Sequence, residues 1–394
     1  MKKSLIALAA LAAVSAASAQ SSVTLYGVVD IGYGAQKTQS RDGTTSSRSS
    51  GVMDGANAGN RIGFRGTEDL GGGLKANFVV EQGISPTSSN LFTQRAATAG
   101  QQGSNQYPTA SAALAGSSSA FSPSTNRQSY IGLSSDSIGT FNVGYQYTIG
   151  YELATLSGYN IGSEGAPGAY TAHLVGTSYA GSTRSNGLSY ISPAFGGGFT
   201  VRAQYGALGA NQETSTVATA GATTAQATGR RYALMGQYAN GPLSASLAYT
   251  NVRATTITGA AGPLVNQANR IGNLTQLGAS YDFGVVKLAG TYNTGRDGGT
   301  ALTTASSRYR GYQVGLSAPF GAIVPFVTVG RAYILADGAA ARTADVNQAQ
   351  IGVRYSLSKR TTAYAFYGRT ADNAAAATAA YKDTKTIVGV AHSF

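Results

Sequence analysis

The 394-residue chain has no cysteine and no tryptophan, only two histidines, and few charged residues, 11% in all. Without cysteine there is no disulfide framework, no thiol nucleophile and no Cys-ligated metal, which suits an oxidising envelope compartment. His173 and His392 stand in no metal-ligand spacing, and no Ser, His and acid grouping suggests a hydrolase. The chain is therefore expected to be no enzyme and to need no cofactor. Long apolar runs are also missing beyond the N terminus. There, Met1-Lys2-Lys3, an apolar run from Leu5 to Val14 and the small residues Ala17-Ser18-Ala19 have the form of a secretory signal, residues 1–19, cut before Gln20. That run is too short for a helix across a bilayer core of about 30 Å, which takes roughly 20 residues.

The formal net charge is +12. The basic residues are dispersed, with no run of five or six and no nucleic-acid-binding pattern beside them, so no nucleic-acid partner is expected. What the chain does contain is glycine, 53 residues, and tyrosine, 24 residues. It also shows period-two alternation in segments of about ten residues, the pattern of strands with one apolar and one polar face.

From Val23 to Tyr33, the residues Val23, Leu25, Gly27, Val29, Ile31 and Tyr33 share one face. Thr24, Tyr26, Val28, Asp30 and Gly32 share the other. Ile62, Phe64, Leu74, Ala76, Phe78 and Val80 would likewise point one way, and Arg61, Arg65, Lys75, Asn77 and Glu81 the other. A closed barrel in a membrane satisfies this with the apolar face toward lipid and the polar face toward water, the reverse of a soluble sandwich. Similar segments continue near 126–134, 139–148, 184–192, 198–206, 230–240, 243–252, 271–282, 285–294, 308–318, 324–333, 347–356, 361–369 and 384–394. With the first three they make an even set of sixteen, as closure of a bacterial barrel requires. Tight connections such as Asn240-Gly241-Pro242 alternate with long ones rich in Ala, Gly, Ser and Thr. Gly71-Gly72-Gly73 has the composition of a hairpin turn with positive φ. By alternation Arg61, Arg65, Lys75, Arg127, Arg202 and Arg231 are inward candidates, a basic lining that would attract anions in a narrow aqueous passage.

Several stretches together resemble the general porins of Gram-negative bacteria of the neisserial and burkholderial type, over nearly the whole mature chain. They are Ser22-Val23-Thr24-Leu25-Tyr26-Gly27, Arg61 to Gly73, Asn126 to Leu133, Ser192 to Gly197, Leu357 to Thr361 and the ending Val388 to Phe394. The resemblance implies a sixteen-stranded antiparallel transmembrane β-barrel in the outer membrane, assembled as a homotrimer. Its third external loop, here about 149–183, would fold inward to form a constriction. It also implies a basic wall facing that loop. Arg61 and Arg127 match the family's wall positions, and Arg184 matches with a one-residue offset. Alternation counted back from Tyr190 turns Arg184 outward unless a bulge intervenes. The loop offers Glu152 and Glu164 as the acidic side, and Tyr145 stands where relatives usually carry Arg. Terminal Phe394 is similar to the signal by which the barrel-assembly machinery recognises its clients.

The expected function is a water-filled channel for passive diffusion of small hydrophilic solutes and ions, preferring anions. The other partner would be outer-membrane lipid. A solute-specific channel for organic anions or phosphate shares this architecture, and a surface adhesin barrel with the same long loops is a further alternative.

Overall fold

The computed structural model describes residues 22–40, 43–87, 91, 126–155, 161–162, 184–208, 224–259, 266–297, 306–338, 341–342, 344–373 and 381–394. Residues 1–19 and Glu164 lie outside them. The described residues form seventeen strands in one antiparallel sheet that closes on itself. In chain order these are β1 (Ser22–Ser40), β2 (Ser46–Asp54), β3 (Arg61–Gly71), β4 (Leu74–Gly83), β5 (Asn126–Ser135), β6 (Gly139–Tyr147), β7 (Arg184–Ile191), β8 (Phe199–Leu208) and β9 (Thr224–Asn240). They continue as β10 (Leu243–Gly259), β11 (Asn266–Asp282), β12 (Lys287–Asp297), β13 (Ser307–Ser317), β14 (Ile323–Ala336), β15 (Ala344–Ser356), β16 (Thr361–Asp372) and β17 (Tyr381–Ser393). A helix, α1 (Ile149–Thr155), follows β6.

Seventeen strands make sixteen staves. The outer half of β1 pairs with β2, from Ile31↔Asp54 to Gln39↔Ser46, while its first residues pair with β3, from Ser22↔Thr67 to Val28↔Arg61. β2 and β3 therefore share one position in the wall, and the barrel has sixteen strands around its circumference. Strand β2 has no counterpart among the expected segments. Its Ser46-Ser47-Arg48-Ser49-Ser50-Gly51 is too polar on both faces for alternation to reveal it.

Closure is made by β17 on β1, from Val28↔Ser393 to Ser40↔Tyr381. Beyond the strand end, the Gly27 N–H donates to the Phe394 carbonyl and the Phe394 N–H donates to the Gly27 carbonyl, each at 3.2 Å. The Phe394 ring covers Gly27 so closely that a Cβ there would lie 2.4 Å from the ring. The chain's last residue thus completes the seam, leaving no edge exposed.

Alternation settles which face meets lipid. Outward residues such as Val23, Ile131, Leu188, Leu247 and Ile351 are exposed. Their neighbours Asp30, Gln204, Gln276, Gln313 and Gln350 are buried inside. The inside is not wholly polar. Phe326, Phe366 and Ile387 point inward, where they cluster with Met53, Ala56 and Ile161. Residues 55–60 and 161 supply the apolar cover that lets these side chains face the lumen. One end of the barrel is closed by short turns, as at Gly71, Gly72 and Gly73 with φ of 82°, 61° and 79°. The longer connections lie at the other end.

Candidate functional site

Polar side chains gather inside the barrel around α1 and residues 55–60. Glu81, on the inward row of β4 and 4% exposed, centres the first group. Arg127 Nε donates to Glu81 Oε1 at 2.5 Å, the Tyr26 hydroxyl donates to Oε2 at 3.0 Å, and Arg61 Nε stands 3.7 Å from Oε2. A bulge allows this. β4 pairs Glu81 with Gln128 but Gln82 with Asn126, leaving Arg127 unopposed. Without the extra residue Arg127 would share the outward row of Ile131 and Leu133.

Arg127 Nη2 also donates to the Tyr147 hydroxyl at 2.8 Å, and the Tyr147 ring stacks on Tyr151 of α1 at 4.9 Å between centroids. Arg184 begins β7, and the β6–β7 ladder runs without a register shift, so no bulge turns it inward. It keeps the outward row of Leu188, yet its guanidinium lies 4.9 Å from the Tyr147 ring centroid. Arg184 thus meets the group at Tyr147.

Helix α1 carries the second group. Ile149 and Leu153 pack on inward Ala233, Met235 and Ala248 of β9 and β10. Gln276 Nε2 of β11 donates to the Gly150 carbonyl at 3.3 Å. This docking holds Glu152 against the wall, where Arg202 Nη1 of β8 donates to its Oε2 at 2.9 Å. Burial pushes the Glu152 carboxyl above the ordinary carboxylate range, and the Arg202 guanidinium opposes that rise. Arg231 lies on the same inward row as Ala233 and is fully buried. Arg65 and Lys75 sit on inward rows nearer the short-turn end, Arg65 with its guanidinium 5.2 Å from the Tyr26 ring centroid, and neither joins Glu81.

Two residues outside the expected lining organise the remainder. Arg354, on the inward row of β15, donates from Nε to Asn57 Oδ1 at 2.9 Å. Its terminal nitrogens donate to the carbonyls of Ile161 at 3.2 Å and Gly162 at 3.1 Å, and its guanidinium lies 4.3 Å from the Phe326 ring centroid. Asp30 is fully buried. Its Oδ2 accepts the Asn57 and Ala58 N–H groups at 2.6 Å each, and its Oδ1 accepts the Tyr364 hydroxyl at 2.6 Å. Together they pin residues 55–60 to the inner wall. Alternation did place Asp30 inside, and counting from outward Tyr355 would have placed Arg354 there too. Neither count reveals the partners.

Residues 7–375 match the model of the Gram-negative porin family. The chain belongs to that family. This porin is 33% identical to outer membrane porin protein 32 of Delftia acidovorans over 376 residues, 92% of this chain and 88% of that protein. The solved anion-selective porin from Comamonas acidovorans is 25% identical, with a TM-score of 0.63 over 95% of this chain and 100% of that one. The trimer form of OmpT, an outer membrane protein of Vibrio cholerae, shares the fold at 13% identity, with a TM-score of 0.60 over 95% of this chain and 99% of its own. The porin is an outer-membrane β-barrel channel for passive diffusion.

Proposed function

We propose that this porin passes small hydrophilic solutes and ions with a preference for anions, through a lumen narrowed by the connection that begins at Ile149. The observation that carries the reading is the charge on the inward rows around α1 and residues 55–60. Arg61, Arg127, Arg202, Arg231 and Arg354 supply five guanidinium groups and Lys385 an ammonium, against the carboxylates of Glu81, Glu152, Asp30, Asp54 and Asp383. Low-dielectric walls focus the field of such an excess on the water between them. The anion selectivity named for the Comamonas acidovorans porin agrees with it.

The connection taken as the constriction, about 149–183, is supported at its described points. α1 packs on β9 and β10, and residues 161–162 are held by Arg354 of β15, on another part of the wall. The channel works without catalysis or a cofactor, as a homotrimer of the kind named for OmpT. Residues 1–19 are removed on export, and Phe394 serves the barrel-assembly machinery. The deciding experiment is the reversal potential of purified channels in a planar bilayer under a potassium chloride gradient. A potential on the chloride side is expected, and one on the potassium side refutes the charge reading. N-terminal sequencing of the mature protein should begin at Gln20.

A further inference from the structure

Oxidising equivalents that reach a protein commonly end on cysteine or tryptophan, and this chain has neither. Of its three methionines, Met53 and Met235 are buried and Met1 begins the N-terminal segment. Tyrosine, with 24 residues, is the readily oxidised side chain that remains. Among the described residues two pairs of tyrosines have their rings in contact, Tyr147 with Tyr151 and Tyr205 with Tyr232. The first pair lies inside the barrel, where Tyr151 is buried and Arg127 donates to the Tyr147 hydroxyl. The second pair lies outside.

Tyr205 of β8 and Tyr232 of β9 are directly opposed in the ladder, and both follow the outward count. Opposed side chains on one face of an antiparallel pair are held side by side by the backbone itself. The two ring centroids stand 5.2 Å apart, the ring planes are tilted by 49°, and the residues are 41% and 45% exposed. A tilted contact turns the edge of one ring toward the other, and the edge carries the carbons ortho to the hydroxyl. Tyr205 also lies three residues before Leu208, at the long-connection end of β8. Outward tyrosines at a strand end meet the membrane–water interface. A water-borne oxidant therefore reaches this pair without entering the lumen.

We propose that Tyr205 and Tyr232 form an oxidative coupling site, joined through their ortho carbons when a diffusible one-electron oxidant reaches the outer surface. Two equivalents of oxidant take one electron each, and the two hydroxyl protons pass to water. The paired phenoxyl radicals then form a carbon–carbon bond, and the two ring hydrogens displaced there move to the oxygens. The product has two hydrogens fewer and braces β8 to β9 covalently in a chain that can form no disulfide. The test oxidises the porin in lipid vesicles with photogenerated tris(bipyridine)ruthenium(III), then digests it with trypsin. Cleavage after Arg202, Arg230, Arg231 and Arg253 places Tyr205 in the peptide 203–230 and Tyr232 in the peptide 232–253. Mass spectrometry should find these two peptides joined at their summed mass less two hydrogens, with fragment ions placing the bond at Tyr205 and Tyr232. Y205F and Y232F keep both rings, so each should abolish the joined peptide while leaving single-channel conductance unchanged. The chain oxidised in denaturant, where the two residues meet only by loop closure, should yield about tenfold less of it. A wild-type digest without the joined peptide overturns the proposal, as does a bond from Tyr205 to Tyr238 or Tyr249, or an equal yield from the unfolded chain. Peptides joined between two chains in a mixed-isotope preparation overturn it as well.

Discussion

Replacing Arg127 by Ala and, separately, Glu81 by Gln should move the porin's ion preference in opposite directions. Both side chains belong to one ion pair of 2.5 Å, with Arg61 at 3.7 Å from the same carboxylate. Arg127→Ala removes one positive charge and leaves Glu81 facing Arg61 alone. Glu81→Gln removes the negative charge and keeps one oxygen, to accept from either Arg127 or Tyr26. A unit charge about 5 Å from a permeating ion in water is worth roughly 0.8 kcal/mol. A Debye length of about 8 Å at 0.15 M reduces this to roughly 0.5 kcal/mol, or about a twofold change in partition. Chloride loses what potassium gains. Arg127→Ala should therefore lower the chloride-to-potassium permeability ratio about four- to fivefold, and Glu81→Gln should raise it by a similar factor. Reversal potentials in a salt gradient measure both ratios. Shifts of the same sign in the two variants, or none in either, would refute the placement of this pair on the ion path.

Three further outcomes follow from named contacts. Deleting Phe394 removes the ring over Gly27 and the paired backbone hydrogen bonds that finish the seam, so heat-modifiable trimer in the outer membrane should fall, and an unchanged amount would refute the role. Arg354→Ala frees the Ile161 and Gly162 carbonyls and Asn57, and should raise open-channel current noise while the barrel still assembles. A quiet channel would show that the connection is held elsewhere. Ser306, and after it Arg296 and Arg308, hold the Asp337 carboxyl below its ordinary range. A depressed carboxylate stabilises the folded state above its unfolded value near 3.9 and loses that contribution as pH falls through the folded value. Amide exchange at 306–310 and 334–337 should thus quicken only below about pH 4, and quickening near neutrality would contradict the sign.

Much of the barrel was legible because a transmembrane strand must alternate. With lipid on one side and water on the other, period two is imposed residue by residue, as Val23, Leu25, Ile31 and Tyr33 against Asp30 show. The inward rows of Arg61, Arg202 and Arg231 followed from the same count. The pattern has no means of reporting an inserted residue, however. Arg127, counted as inward from the sequence, in fact shares the parity of outward Ile131 and Leu133 and is turned inward only by the bulge opposite Glu81 and Gln82, whereas Arg184, without one, stays on the outward count. Nor could alternation show β2, whose polar residues sit on both faces, or the inward apolar patch of Phe326, Phe366 and Ile387, which Met53, Ala56 and Ile161 cover.

By itself, then, the order of residues determined the class of the molecule, its sixteen-fold wall and the side of the wall each regular strand residue meets. These depend on neighbours a few positions apart and on one strand beside the next. Tertiary structure alone decided which inward charges face one another. Glu152 meets Arg202 across 50 positions, Arg354 reaches Ile161 across 193, and Tyr364 reaches Asp30 across 334. Such pairings depend on closure of the barrel and on segments packed inside it, and no local period carries them.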